Sequence, residues 1–199
     1  MKKIILFFAM LFTLANPAKA IMSPQMEFIQ TLTDKVITDV LKTNESIDVK
    51  YEKFEKYFLP ALDTDMISKF VLGKHWRQLN ENEKSAFKKA FIDLCLKSWA
   101  DRFNSYSGQT LDIVGERPAE GKNQYYIDSQ IENNSKPIEV IWRIRQKNNS
   151  FQIVDIIIEG VSMALTYRNQ YTDYLSTHSL EELISSLENQ SNNFVFTAK

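Results

Sequence analysis

The chain has 199 residues, of which 44% are hydrophobic and 25% are charged, and its formal net charge is −1 at pH 7. This length and hydrophobic content suit one globular domain with a core of its own. The near-neutral charge, without a basic cluster, makes nucleic acid and anionic lipid head groups poor candidates for partners. The single cysteine, Cys95, excludes an internal disulfide, and we interpret it as a buried, unreactive thiol.

The N-terminus has the pattern of an export signal. Two lysines near the start precede an apolar run at residues 4–14 and a small-residue ending at Ala18 and Ala20. The run is shorter than the roughly 20 residues that span a bilayer, which argues against a membrane anchor. We therefore expect residues 1–20 to be a cleaved signal peptide and residues 21–199 to form a single domain in an envelope compartment.

Two helices are predicted at the start of that domain. Ser23 and Pro24 have the residue types of an N-cap and a first helical turn, and an apolar stripe at helical spacing follows to about Lys42. A second, shorter helix is predicted near residues 51–59, because the following Pro60 cannot continue a helix. Both helices have one apolar face, so each is expected to pack against another layer.

Two further helices are predicted before the chain changes character. Asp63 is placed to cap a third helix, which ends before Gly73. Asn80 and Glu83 form a capping-box pattern for a fourth and longer helix, which extends to about Phe103. The fourth helix is apolar around a wide arc, and we expect it to contact more than one neighbour.

After Gly108 the hydrophobic period becomes that of a β-strand. Four alternating segments follow, separated by short gaps that contain glycine and asparagine and are typical of hairpins. Helical patterns then return at about residues 161–176 and 179–189. This order predicts an α+β fold, in which several helices pack on one face of a curved four-stranded antiparallel sheet.

Histidine and cysteine offer no metal site that sequence spacing can identify. His75 and His178 have no partner at the spacing that metal ligands require, and we interpret both as structural. We therefore expect neither a metal nor a cofactor.

Asp155 and Glu159 are the carboxylates for which a catalytic role deserves consideration. Strand alternation places both on the side of Ile153 if no bulge intervenes, and a carboxylate in an apolar cavity is a candidate general base. In the alternative that we favour, Glu159 caps the following helix and Asp155 pairs with a strand neighbour such as Arg143, because an unpaired buried charge is costly.

The last strand leads into a helix with an aromatic stripe. Met163, Tyr167, Tyr171 and Tyr174 recur at helical spacing. They are either core residues with hydroxyl groups at the rim or the mouth of an apolar pocket. Spacing alone favours the core.

Three segments in order resemble the MlaC family of periplasmic phospholipid-shuttle proteins, which are also called toluene-tolerance auxiliary components of an ABC transport system. The segments are FVLGKHWRQLNENEKSAFKKAF at residues 70–91, YSGQTLDI at residues 106–113 and IIEGVSM at residues 157–163. The resemblance extends over nearly the whole chain after the signal peptide. It implies helices over a four-stranded antiparallel sheet, with a deep apolar pocket for acyl chains between the two layers.

The resemblance implies a periplasmic carrier that is not an enzyme. Its cargo would be phospholipid, and its partners would be an inner-membrane ABC transporter with a lipid-transfer ring subunit and an outer-membrane lipoprotein complex. Such a carrier maintains the lipid asymmetry of the outer membrane, and we expect it to be a monomer. Three alternatives stay open: a carrier of another apolar lipid, an isomerase-like or dehydratase-like cavity enzyme that uses Asp155 or Glu159, and an adaptor without cargo.

Under the carrier hypothesis, apolar and aromatic residues from three helices and one strand should line the pocket. These residues are Ile67, Phe70, Val71, Phe91, Cys95, Trp99, Val140, Trp142, Ile144, Met163, Tyr167 and Tyr171.

Overall fold

The structure is a computed structural model that describes residues 22–132 and 136–197. The expected signal peptide at residues 1–20 lies outside the described residues. Within the described ranges, no helix combines the length and the apolar character that crossing a membrane requires.

Six α-helices are present in the described part of the chain, and their bounds are α1 Pro24–Val36, α2 Ile47–Phe58, α3 Thr64–Leu72, α4 Glu81–Ala100, α5 Met163–Tyr174 and α6 Leu180–Asn192. Shorter helical segments extend four of these helices at their C-terminal ends. They are a π-helical turn at Ile37–Leu41 and 3₁₀ turns at Leu59–Ala61, Gly73–Gln78 and Asp101–Ser105.

The caps predicted for α1, α3 and α4 are confirmed. The Asp63 carboxylate accepts a hydrogen bond from the backbone N–H of Met66 at 3.1 Å, which starts α3. Asn80 and Glu83 form the reciprocal capping box of α4. The second helix begins earlier than predicted, because the Ser46 hydroxyl caps it.

The sheet is an antiparallel meander in the order β1-β2-β3-β4-β5. Its strands are β1 Leu111–Pro118, β2 Gln124–Ile131, β3 Ile138–Lys147, β4 Ser150–Ile158 and β5 Val161–Ser162. The two-residue β5 was not predicted. It forms because Glu159 and Gly160 have φ values of 49° and 79°, as a tight two-residue hairpin requires.

A β-bulge interrupts β4. Ile153 pairs with Ile144, but Asp155 pairs with Arg143, so Val154 is the extra residue on its strand. The bulge shifts the alternation by one position, and Ile156 is consequently buried together with Ile153. The condition for placing Asp155 and Glu159 on the side of Ile153, a strand without a bulge, is therefore not met.

The core lies between the helices and the inner face of the sheet. The largest side chains that are fully buried there come from α1, α4 and the three central strands, and they include Ile29, Phe87, Phe91, Leu96, Ile127, Ile144 and Ile153. The α+β prediction, with helices on one face of an antiparallel sheet, is thus confirmed. The sixth helix packs on α4 and adds a second helical layer there.

Candidate functional site

A small apolar cavity lies between α3, α4 and α5 on one side and β4 on the other. Its volume is about 30 Å³. The residues that line it are Leu62, Ile67, Phe91, Ile92, Cys95, Trp99, Ile153, Val154, Asp155, Ile156, Met163, Ala164 and Tyr167. Asp155 is the single charged residue among them, so the cavity has the chemistry of a hydrocarbon site.

The structure brings half of the predicted lining residues to this cavity. They come from α3, α4 and α5, which form its helical side: Ile67, Phe91, Cys95, Trp99, Met163 and Tyr167. Sequence periodicity found them because each lies on the apolar face of its helix.

The remaining predicted lining residues do not border the cavity. Val71 and Tyr171 are buried, with exposed fractions of 1% and 5%, and they pack within the helical layer. Val140, Trp142 and Ile144 are buried on the inner face of β3, beside the strand that borders the cavity. These five residues belong to the surrounding core.

Phe70 does not lie in the interior. Its side chain is 39% exposed, and the Arg168 guanidinium lies over its ring at 4.9 Å. Phe70 is a neighbour of Ile67 on the surface of α3, because residues three apart share a helix face, but its ring packs against Arg168 of α5 and does not border the cavity. The assignment of Phe70 to the interior lining is therefore corrected to a position at the protein surface.

Sequence analysis missed a second group of lining residues, most of them on the sheet side. They are Leu62, Ile92, Ile153, Val154, Ile156 and Ala164. The apolar run of β4 was a usable signal for the strand, but the bulge at Val154 decides which of its residues face the helices. Leu62 reaches the cavity because it forms a parallel bridge with Ile153.

The aromatic residues of α4 and α5 pack edge to face beside the cavity. The Phe91 ring lies 5.2 Å from the Tyr167 ring and 5.8 Å from the Tyr171 ring. Tyr174 stacks on His178 with ring centroids 4.2 Å apart. The stripe is therefore divided: Tyr171 is a core residue, Tyr167 faces the cavity, and Tyr174 packs outside it.

Cys95 and Tyr167 place polar atoms in the cavity wall without adding charge. Burial raises the pKa of the Cys95 thiol to about 12, although a hydrogen bond with Tyr167 acts in the opposite direction. Burial, together with the neighbouring thiol, raises the pKa of Tyr167. Both groups are consequently neutral at physiological pH, in agreement with the prediction of a buried, unreactive thiol.

Asp155 holds the start of α5. Its carboxylate accepts hydrogen bonds from the Ser162 hydroxyl at 2.5 Å, from the Ile156 N–H at 2.8 Å and from the Ala164 N–H at 3.0 Å. Its oxygens are thus occupied by neighbours from the turn and the helix. Asp155 lies opposite Arg143 in the sheet, but the expected contact between their side chains is not formed, because the Arg143 guanidinium donates to the Gln124 side chain and the Glu120 carbonyl.

Glu159 lies at the surface and does not cap α5. Its carboxylate accepts a hydrogen bond from the Glu139 N–H at 2.7 Å and lies 3.5 Å from the Lys136 ammonium group. These contacts explain why the pKa of Glu159 is lowered, first by the backbone hydrogen bond and then by Lys136. The cap predicted for Glu159 is supplied instead by the Ser162 hydroxyl, which accepts from the Leu165 N–H, and by the Asp155 carboxylate, which accepts from the Ala164 N–H.

The N-terminal end of α3, beside the cavity, is joined to the sheet. The backbone N–H of Asp63 donates to the Ile153 carbonyl at 2.9 Å, and its carboxylate, in a residue that is 2% exposed, forms an ion pair with Arg145. We call Asp63, Arg145 and Ile153 the α3 anchor. Because it combines a backbone hydrogen bond with a buried ion pair, this end of the helix is fixed to β3 and β4.

Within residues 22–132 and 136–197, no group of three or more His, Cys, Asp or Glu residues could hold a metal ion. His178 packs on Tyr174, and its Nδ1 lies 3.2 Å from the Tyr174 carbonyl oxygen. His178 thus has a structural role at the end of α5.

Comparisons of the sequence and the fold with known proteins identify the family of this chain. A profile described as "MlaC protein" matches residues 30–189. A Haemophilus influenzae relative, "Intermembrane phospholipid transport system binding protein MlaC", is 24% identical over an alignment of 193 residues, which covers 93% of this chain and 90% of the relative. The solved phospholipid-binding protein from Ralstonia solanacearum, in complex with a phospholipid, superposes with a TM-score of 0.76 at 19% identity, covering 84% of this chain and 96% of that one. Since the profile spans most of the sequence, this protein belongs to the MlaC family.

Proposed function

We propose that this protein is a periplasmic phospholipid carrier, and that the acyl chains of its cargo enter between the sheet and the helical layer at the cavity. The observation that carries the proposal is an almost uncharged cavity between the layers of a fold shared with a phospholipid-bound protein. The name of the Haemophilus influenzae relative supports the same role. Residues 1–20 would serve as the signal peptide, and residues 21–199 would form the monomeric carrier.

Cargo binding requires the layers to move apart. The cavity of about 30 Å³ has room for one or two water molecules, whereas drug-sized ligands occupy pockets of about 300–1,000 Å³. The cavity must therefore expand at least about tenfold to take an acyl chain. The predicted lining residues outside the present cavity, including Val140, Trp142 and Ile144, would contact the chains after that expansion.

Hydrophobic transfer would hold the cargo firmly. Each buried methylene contributes about 0.8 kcal/mol, so two chains with roughly 30 methylenes would favour the protein over water by about 20 kcal/mol. Release into water would be negligible. Loading and unloading would therefore occur in contact with partners, for which we propose an inner-membrane ABC transporter with its lipid-transfer ring subunit and an outer-membrane lipoprotein complex.

This carrier role accounts for the position of Asp155 better than a catalytic role does. Asp155 borders the cavity, but the hydrogen bonds that its carboxylate accepts from Ser162 and Ala164 hold the start of α5. A general base needs a free oxygen toward its substrate. In the proposed carrier, transfer of phospholipid contributes to the lipid asymmetry of the outer membrane without a chemical step.

Organic extraction and native mass spectrometry of protein exported to a bacterial periplasm test the proposal. We expect one intact phospholipid per chain. Ala164→Trp should reduce the bound lipid, because Ala164 is 6% exposed and borders the cavity. Thr172→Trp, at an exposed position on the same helix, is the matched control and should retain lipid. An empty extract, or a small polar molecule in place of lipid, would contradict the proposal.

A further inference from the structure

The C-terminal half of α3 packs on α5, and one side chain adds polar contacts between the two helices. The Arg168 guanidinium lies over the Phe70 ring at 4.9 Å, and its Nη1 donates to the Phe70 carbonyl at 3.2 Å. The same guanidinium is in contact with Gly73, since a Cβ at that glycine would lie 3.2 Å from Nη2. We call Phe70, Gly73 and Arg168 the α3–α5 seam.

The seam lies next to the wall of the cavity. Ile67 of α3 and Tyr167 of α5 both line the cavity, and the seam residues Phe70 and Arg168 follow them by three residues and one residue. Separation of α3 from α5 would therefore open the cavity to solvent at Arg168. A cargo molecule that entered there would leave its head group beside the guanidinium.

Arg168 has hydrogen-bonding capacity to spare. A guanidinium carries five N–H donors, and the Phe70 carbonyl accepts from one of them. In the part of the chain that the structure describes, no carboxylate forms an ion pair with Arg168 within 4.0 Å. Lys69 and Lys74, which are next in sequence to the seam residues Phe70 and Gly73, are exposed.

We propose that Arg168 binds the phosphate group of the cargo when the α3–α5 seam opens. The inference rests on the proposed carrier function and names the group that recognises the head group. Arg168 exchanges one hydrogen bond to a neutral carbonyl for a bidentate, charge-assisted pair with phosphate, which is the stronger interaction. In the cargo-free protein, Arg168 thus holds α3 and α5 together. In the cargo-bound protein, it selects a lipid that carries phosphate.

A competition between two lipids tests this site. Wild-type protein is incubated with vesicles that contain equal amounts of phosphatidylglycerol and diacylglycerol with identical acyl chains, and the bound lipids are quantified by mass spectrometry. We expect a preference of about tenfold for phosphatidylglycerol, as one charge-assisted interaction provides. Arg168→Gln should bring the ratio close to one while total bound lipid persists, because the acyl chains supply most of the affinity.

Matched variants separate recognition from folding. Arg77→Gln removes an exposed arginine from the connector after α3 and should retain the wild-type ratio. Arg168→Lys keeps the charge but loses the bidentate geometry, so it should give an intermediate ratio and substitutes for Arg168→Gln if that variant does not fold.

Three results would overturn the inference or its assigned ligand. An unchanged lipid ratio in folded Arg168→Gln or Arg168→Lys would exclude phosphate recognition by Arg168. Binding of inorganic phosphate at Arg168 with no effect on lipid selection would assign the site to free phosphate instead. A wild-type protein that takes up neither lipid would contradict the carrier function itself, and this result is distinct from a loss of selectivity.

Discussion

The two ends of α3 are attached to the rest of the protein in different ways. At its N-terminal end, the α3 anchor joins Asp63 to two strands through a backbone hydrogen bond of 2.9 Å and a buried ion pair. At its C-terminal end, the α3–α5 seam depends on Arg168, a partly exposed side chain from another helix. The difference indicates that polar contacts fix the N-terminal end of α3 to the sheet, whereas the other end is held by the packing of Val71 and Leu72 and by a single polar link to α5.

The largest expected effect comes from removing the α3 anchor. Asp63→Ala leaves Arg145 without its partner and also removes the cap of α3. Loss of one member of a fully buried ion pair costs about 3–5 kcal/mol, and because Arg145 is 29% exposed and can be rehydrated, the lower end of about 3 kcal/mol applies. We expect the free energy of unfolding, measured by chemical denaturation, to fall by that amount.

Asp65→Ala is the matched control for the anchor. Asp65 lies two residues further along α3, and its side chain is 72% exposed in an ion pair with Lys88. Exposed pairs contribute little, so the free energy of unfolding should change by less than about 1 kcal/mol. Equal decreases in the free energy of unfolding for Asp63→Ala and Asp65→Ala would contradict a special role of the α3 anchor.

The second largest effect is expected from a substitution at Gly73, in the α3–α5 seam. Gly73 has φ 55° and ψ −120°, a conformation that strains any residue with a Cβ. Gly73→Ala should therefore lower the free energy of unfolding by about 1–3 kcal/mol and increase amide hydrogen exchange at the C-terminal end of α3. The amides near Asp63 should keep their protection. Uniform loss of protection along α3 would show that the helix does not open from one end.

Gly115→Ala provides the comparison for that substitution. Gly115 lies in β1 without a positive φ, and a Cβ there would meet nothing within 4 Å. Gly115→Ala should therefore leave amide hydrogen exchange in α3 unchanged.

The smallest effect is a pH dependence at the contact between α4 and α6. Burial of Asp93 acts to raise its pKa, but hydrogen bonds from Ser191 and Tyr51 and the ammonium group of Lys97 lower it overall. A lowered folded-state pKa contributes stability above the unfolded value of about 3.9, and that contribution is lost as pH falls through the folded value. The Arg168 contact has no carboxylate within ion-pair distance among the described residues and should not follow this titration.

Unfolding free energies of wild type and Asp93→Asn, measured from pH 7 to below pH 4, test this prediction. The difference between the two proteins should be greatest at neutral pH and should shrink in acid. A difference that is constant over the whole range would contradict a contribution from the ionised carboxylate.

Local signals in the sequence were sufficient for much of the fold. A cap such as Asp63 or the Asn80–Glu83 box acts within one helical turn, so its residue types can be read directly. The bulge at Val154 could not be predicted in this way, because the pairing of β4 with β3 creates it. The same holds for the contact of Arg168 with Phe70, which joins residues 98 positions apart.

The candidate site was predictable to the extent that helical periodicity determined it. Phe91 and Tyr167 were found because they lie on apolar helix faces, and the packing of those faces creates the cavity. Phe70 was misplaced because an aromatic residue beside an apolar stripe looks internal until a partner for its ring is known. Ala164 was missed because a small side chain gives no signal, although its size helps to leave the space open.

The distance across the α3–α5 seam tests most directly whether cargo enters between these two helices. Spin labels at the exposed positions Lys69 on α3 and Gln170 on α5 report that distance by pulsed electron paramagnetic resonance. With phosphatidylglycerol vesicles present, we predict a longer distance between the two labels and a bound lipid on the same molecules. Full lipid loading with an unchanged distance would contradict entry between these two helices.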